Sequence, residues 1–240
     1  MKSEAGDMKI MGNFRKLIQI VSADPNYKPS NTALTTTALE AQDVAASAIV
    51  EDLANKNAPH KTAIRERVEA FEPLSSRGRQ MRDVARASGA TKAALANLET
   101  PLRKLSGVRA SARIKDDPNT PEDESAGQHS ASQMSFDNRT GNFRTLVALV
   151  KELTTYNPNE PDLKVTALEA YADELEARNT AVITTSVPLA QARALRDQLL
   201  YLNPDCVVKT ALLVKAYVKG AFGATSPLYS QIKGIKFSRK

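Results

Sequence analysis

The side chains best suited to chemistry in this 240-residue sequence are few: His60, His129, Cys206, and the acids Glu169, Asp173 and Glu176. A carboxylate-bridged metal pair in a helical bundle needs Glu-x-x-His on facing helices, because imidazole and carboxylate must reach the ion from one face. Neither histidine has that spacing. Glu169, Asp173 and Glu176 do share a helix face, but it lies opposite Leu168, Tyr171 and Leu175, and so reads as a solvated acidic face. Cys206 opens a helix, where the terminal dipole can lower a thiol pKa. With no histidine nearby in sequence it reads as a small, partly buried residue; pairing with the distant His60 is the alternative. Gly89-Ala90-Thr91-Lys92 has the ending of a phosphate loop but lacks the upstream glycine and the preceding strand. The expectation is a non-enzyme with no catalytic residues, no metal and no cofactor.

The cations carry more weight. Arg79, Arg82 and Arg86 recur at helical spacing opposite Met81, with Arg65, Arg67 and Arg77 close by. After Asp205 no acid appears, while Lys209, Lys215, Lys219, Lys233, Lys236, Arg239 and Lys240 accumulate. Clusters of this kind can neutralise phosphates. Arg65, Arg77, Arg79, Arg82, Arg86, Lys233, Lys236, Arg239 and Lys240 are therefore the candidate contacts for an anion or a nucleic acid. Against this, Glu66, Glu69, Glu72 and Asp83 interleave with the ridge, which suits an ordinary solvated helix face. Aromatic residues are only 5% of the chain, too few to favour base stacking on single strands. The C-terminal segment after Pro227 is apolar as well as basic. Leu228, Tyr229, Ile232, Ile235 and Phe237 either dock on their own bundle, the expected outcome for apolar side chains, or form a hook for a partner.

These residues must be positioned by helices. Alanine-rich, aromatic-poor composition favours an all-α chain over a β-sandwich. A repeat organises it: Gly12–Ala41 returns as Gly141–Ala170 at an offset of 129, with 14 identities in 30 ungapped positions. A weaker echo, Arg79-x-Met81-Arg82-Asp83 against Arg193-x-Leu195-Arg196-Asp197, stands at an offset of 114. It implies a first copy about fifteen residues longer, in a hairpin between its second and third helices. Each copy reads as four helical segments. The first carries Phe14, Leu17, Ile18 and Val21, or Phe143, Leu146, Val147 and Val150. The second carries Leu39, Ala46, Ile49 and Leu53, or Leu168, Tyr171, Leu175 and Val182. The third carries Ile64, Val68, Phe71, Leu74 and Met81, or Leu189, Ala192, Leu195, Leu199 and Leu202. Pro73 implies a kink or restart, whereas Pro188 suits the first turn of a helix. The fourth carries Leu95, Leu98, Leu102 and Leu105, or Val207, Ala211, Val214, Val218 and Phe222. Gly107 and Gly223 follow as helix caps.

One apolar stripe per helix and short connections predict two related antiparallel helical-bundle units. The expected division is an N-terminal tail (1–11), a first unit (12–112), an acidic linker (113–135), a second unit (136–223) and an apolar-basic tail (224–240). Residues 116–135 hold five acids and no Lys or Arg, so an exposed or mobile segment is expected there. Net charge is +6, a single cysteine excludes an intrachain disulfide, and no apolar run or secretory leader is evident. A cytoplasmic protein that does not enter the membrane is expected.

With Ser135-Phe136-Asp137-Asn138-Arg139 leading into Gly141-Asn142-Phe143, and the ending Phe222-Gly223-Ala224-Thr225-Ser226-Pro227…Gly234-Ile235-Lys236-Phe237, the chain resembles a group of uncharacterised Bacteroidetes helical proteins. The resemblance covers most of the second copy and implies a bacterial, cytoplasmic setting without site residues. The functional expectation is an interaction or scaffolding protein with two repeated surfaces, binding a protein partner or itself. The alternative is a nucleic-acid-associated protein using the basic helix face and tail.

Overall fold

The computed structural model describes residues 4–107 and 134–237. Most of the expected linker, together with His129, Arg239 and Lys240, lies outside the described residues. Among those described, the chain is all-helical, with no strand. Its α-helices are α1 (Glu4–Ser22), α2 (Thr36–Phe71), α3 (Leu74–Ala87), α4 (Lys92–Leu105), α5 (Phe136–Lys151), α6 (Val165–Asp197), α7 (Val207–Phe222) and α8 (Pro227–Ile232).

Helix α1 begins well inside the stretch expected to be a tail. Ile10 and Met11 extend the Phe14, Leu17, Ile18 and Val21 stripe by one turn, and all six are buried. The loops after α1 and α5 then fold alike. Tyr27 donates its hydroxyl to the Leu34 carbonyl at 2.7 Å, and Tyr156 donates to the Leu163 carbonyl at 2.9 Å. Each bond closes a 3₁₀ turn, Thr32–Leu34 or Pro161–Leu163, that starts the next long helix. Burial raises both phenols to about 12, with Tyr217 adding to the effect at Tyr27 and Glu160 at Tyr156.

The second and third helical segments of each copy are not separate. They run together as α2 and α6, with Pro59 and Pro188 inside. There is no hairpin between them, and Pro188 does not start a helix. A proline mid-helix forfeits one backbone bond, but the surrounding turns carry the helix through. Pro59 and Pro188 also stand at the offset of 129. Continuity changes which residues face inward. In α2 the buried line after Pro59 is Ala63 and Phe71, while Ile64 and Val68 are exposed. Along α6 and the turn that follows it, Leu189 and Ala192 are buried as expected, but Leu195 and Leu202 are exposed and Arg196 and Leu200 turn in. Residues Gln198–Leu202 wind as a π-helix, whose wider turn rotates the apolar stripe away from the spacing expected of an α-helix. Pro73 does mark a restart: α2 ends at Phe71 and α3 begins at Leu74.

Two compact units result. The first comprises Met1–Lys61 with Thr185–Lys240, and the second Thr62–Thr184. They do not coincide with the division at 12–112 and 136–223, because α2 and α6 each pass from one unit into the other. The first core gathers Phe14, Leu17, Val21 and Leu39 with Leu200, Val207, Val214 and Val218. The 224–240 segment completes this core: Leu228, Ile232, Ile235 and Phe237 are buried and Tyr229 packs against it. Ser226 caps α8 by accepting from the Tyr229 amide at 3.2 Å. The partner-hook reading of these five residues thus gives way to docking on their own unit. The second core gathers Phe71, Leu74, Met81, Leu98 and Leu105 with Phe143, Leu146, Val150, Leu168 and Leu175.

Polar bonds follow the same division. In the first unit Asn13 Nδ2 donates to the Lys236 carbonyl at 2.8 Å, and Gln42 Nε2 to the Asp205 carbonyl at 2.6 Å. Lys215 donates to the carbonyls of Lys233 and Ile235, both at 2.9 Å, and burial lowers its pKa. In the second unit Arg139 donates to the Phe71 carbonyl at 3.1 Å and Tyr171 to the Ala70 carbonyl at 2.7 Å. Phe71 meets Phe136 edge to face at 4.8 Å.

Candidate functional site

Of the residues that sequence suggested for chemistry, those described are each held structurally. Cys206 is buried as the residue that opens α7, without a side-chain capping bond. His60 Nδ1 lies 3.0 Å from the Thr185 hydroxyl, so its nearest polar partner is that hydroxyl and not Cys206. The acids of α6 are taken up by α5: Lys151 pairs with Glu169 at 2.8 Å, and Arg144 bridges Asp173 at 2.7 Å and Glu176 at 2.5 Å. These pairs raise the pKa of Arg144, chiefly through the hydrogen bond to Asp173, and that of Lys151 through Glu169. Arg15 does the same work in the first unit, reaching Asp43 at 3.0 Å and the Ser47 hydroxyl at 2.6 Å. Among the described residues, no group of three His, Cys, Asp or Glu is arranged to hold a metal, and no helix is long and apolar enough to cross a membrane. Gly89-Ala90-Thr91-Lys92 forms the turn between α3 and α4, with Gly89 at φ 84° and Thr91 capping α4.

The arginine ridge is divided. Arg77 turns toward the core and lies 4.1 Å above the Tyr171 ring. Arg65 is exposed on α2, and Arg86 is exposed with Asp83 at 3.8 Å. Lys233 and Lys236 are exposed in the other unit, where their carbonyls serve the fold. Among the described residues of the expected set, Arg79 and Arg82 share a site.

That site is a cleft of about 300 Å³ between α3 and α4, lined by Arg79, Arg82, Glu99, Thr100, Leu102, Arg103 and Ser106. Its construction is legible from the core outward. Leu74, Gly78, Met81 and Ala85 form the buried line of α3, and Leu98, Pro101, Leu102 and Leu105 that of α4. The short turn makes the pair antiparallel. Gly78 sets their approach: a Cβ there would come within 3.0 Å of Leu102 Cδ1 and 3.3 Å of Leu146 Cδ2. With the backbones this close, Arg79 and Arg82 on the flank of α3 meet Glu99, Arg103 and Ser106 on the flank of α4. Arg82 is held by Asp83 at 2.9 Å and Glu99 at 3.5 Å. Arg79 and Arg103 have no carboxylate partner among the described residues. Sequence reasoning missed Arg103. The available signal was its spacing from Glu99 and Ser106, which puts all three on one flank of a helix whose apolar stripe was already read.

A second feature escaped the sequence reading. Asp7 and Arg196, respectively 5% and 7% exposed, form a buried ion pair, and Tyr201 donates its hydroxyl to the same carboxylate at 2.5 Å. Asp197 approaches Arg196 Nε at 3.0 Å but off the N–H direction, so it adds charge without a hydrogen bond. At the same offset of 129, Arg67 and Phe136 face each other in the second unit, the guanidinium 3.9 Å above the ring. A cation therefore occupies both positions, with a carboxylate below one and an aromatic face below the other.

Comparison with known proteins finds no matching family model, no matching curated protein and no matching solved structure.

Proposed function

We propose that this chain is a non-enzymatic, all-helical interaction protein, in which a duplicated segment folds as two bundle units that exchange helices between the copies. The architecture rests on the composition of the units. Each takes the first helix of one copy and the third and fourth helices of the other: α1 with α7 and α8, and α5 with α3 and α4. The paired features at one offset support it, namely the two tyrosine-closed turns, the two internal prolines and the two inward arginines.

The observation that carries the functional reading is the chemistry of the α3–α4 cleft. Its charged donors are guanidiniums, which donate hydrogen bonds and accept none, and its other polar groups are hydroxyls and one paired carboxylate. Such a set recognises an anionic group; it is not a set for proton transfer or nucleophilic attack. The nucleic-acid reading draws on the same arginines. A backbone needs phosphate contacts repeated along a track, whereas Arg79, Arg82 and Arg103 converge on one cleft. The cations of the C-terminal segment belong to the other unit. A protein partner presenting an acidic group is the better fit.

A photocrosslinking residue at Thr100, on the cleft, against one at Ala216, on the exposed side of α7, tests this in bacterial cells. Discrete adducts from Thr100 alone are expected. Identical adduct patterns from both positions would remove the cleft from the account. A salt-titrated gel shift separates the nucleic-acid reading, which predicts binding that collapses as salt rises.

A further inference from the structure

We infer that the α3–α4 cleft is a phosphomonoester site, in which Arg79, Arg82 and Arg103 hold the phosphate dianion and the Thr100 and Ser106 hydroxyls complete its shell. This deepens the interaction reading by naming the group recognised, and so rests on it. Three features point to phosphate in preference to a carboxylate. Three arginines line a cleft whose one carboxylate, Glu99, reaches Arg82 at a slack 3.5 Å. Guanidiniums match the oxygens of phosphate in paired, charge-assisted hydrogen bonds, and its tetrahedral set of oxygens can engage more than one arginine at once. Hydroxyl donors at the rim suit the third oxygen.

The cleft also exceeds a bare phosphate. At about 300 Å³, with Leu102 lining it, there is space for the organic part of a monoester beside the anion. Glu99 is the opposing element. It shares Arg82 with Asp83 and presents a negative charge to any incoming anion. An occupant must displace the Glu99 carboxylate from Arg82, which makes Glu99 a built-in competitor. This leads to an unusual expectation: removing a charged cleft residue improves binding.

The test is calorimetric titration of the full-length protein with inorganic phosphate and with phenyl phosphate at low ionic strength, where exposed charges are least screened. Wild-type protein is expected to bind both, phenyl phosphate more tightly. Arg103→Gln should weaken binding of both by about tenfold or more, the scale of a charge-assisted hydrogen bond. Glu99→Gln should tighten it several-fold, and Lys219→Gln, exposed on α7 in the other unit, should leave it unchanged. Absence of heat with both probes in the wild type would overturn the inference, as would equal losses in Arg103→Gln and Lys219→Gln. If phosphate binding fails while crosslinks from Thr100 persist, the interaction reading stands and the phosphate assignment falls.

Discussion

Asp7→Ala is expected to be among the most damaging single substitutions in the chain, although Asp7 lies in a stretch that composition alone assigns to a tail. In the folded protein its carboxylate is 5% exposed, paired with Arg196 and accepting from Tyr201. Removing one partner of a buried ion pair costs about 3–5 kcal/mol, because the remaining charge stays desolvated. Loss of the Tyr201 bond adds about 1 kcal/mol. Asp197, partly exposed and 3.0 Å from Arg196 Nε, recovers up to about 1 kcal/mol in the manner of a surface pair. The net loss is about 3–5 kcal/mol, a fifth or more of the stability of a typical domain. The chain has no tryptophan, so far-UV circular dichroism in urea is the suitable assay. The midpoint should fall by roughly 1 M or more for ordinary denaturant slopes. The double variant Asp7→Leu/Arg196→Met should recover most of the loss, since apolar groups of similar volume often replace a buried pair at little cost. A loss under about 1 kcal/mol for Asp7→Ala, or a double variant no better than the single one, would refute the reasoning.

Two further outcomes follow from packing and from burial. Gly78→Ala should lower the melting temperature, since crowding against Leu102, Leu105 and Leu146 at about 1–3 kcal/mol outweighs the gain of about 1 kcal/mol in helix propensity. Gly12→Ala and Gly141→Ala, with nothing within 4 Å of the added carbon, should raise it by the same calorimetric measure. Tyr27 and Tyr156 should titrate well above the ordinary phenol range, at about 12. Folded, both keep their protons to about pH 12, while unfolded phenols lose them near 10, so their stabilisation is complete below about pH 10 and disappears as pH rises through 12. Phenolate absorbance followed alongside circular dichroism should show these two ionising with unfolding; a single titration of all six tyrosines near pH 10 would contradict it.

Much of the helical content was readable because the apolar stripes are local. Phe14, Leu17, Val21, Leu98, Leu102 and Val214 are inward from spacing alone, and all are buried. The continuity of α2 and α6 was harder to read. Pro59 and Pro188 look like punctuation, and only packing on both sides keeps a helix running through such a residue. The phase error at Ile64, Val68, Leu195 and Leu202 comes from that misreading, compounded by the π-turn at Gln198–Leu202. The inward turn of Arg196 was not read from the sequence, because its partner Asp7 lies 189 positions away, a distance over which no periodicity informs. The cleft was half legible for the same reason. Arg79 and Arg82 share a helix, whereas Arg103 joins them only through the approach that Gly78 permits. The proposed exchange between copies would leave no local signature, since an apolar stripe does not say which copy it packs on.

Cutting the chain once tests that exchange most directly. A protease site introduced within residues 116–124, which separate α4 from α5 in sequence, provides a single cut, and native gel filtration with light scattering then reports the product. The exchanged architecture predicts that the fragments stay together as one species near 26.0 kDa, because each unit is built from both of them. They should separate only under denaturant, and neither should refold alone. Fragments that part under native conditions as two folded monomers, each with its own copy of the repeat, would contradict it.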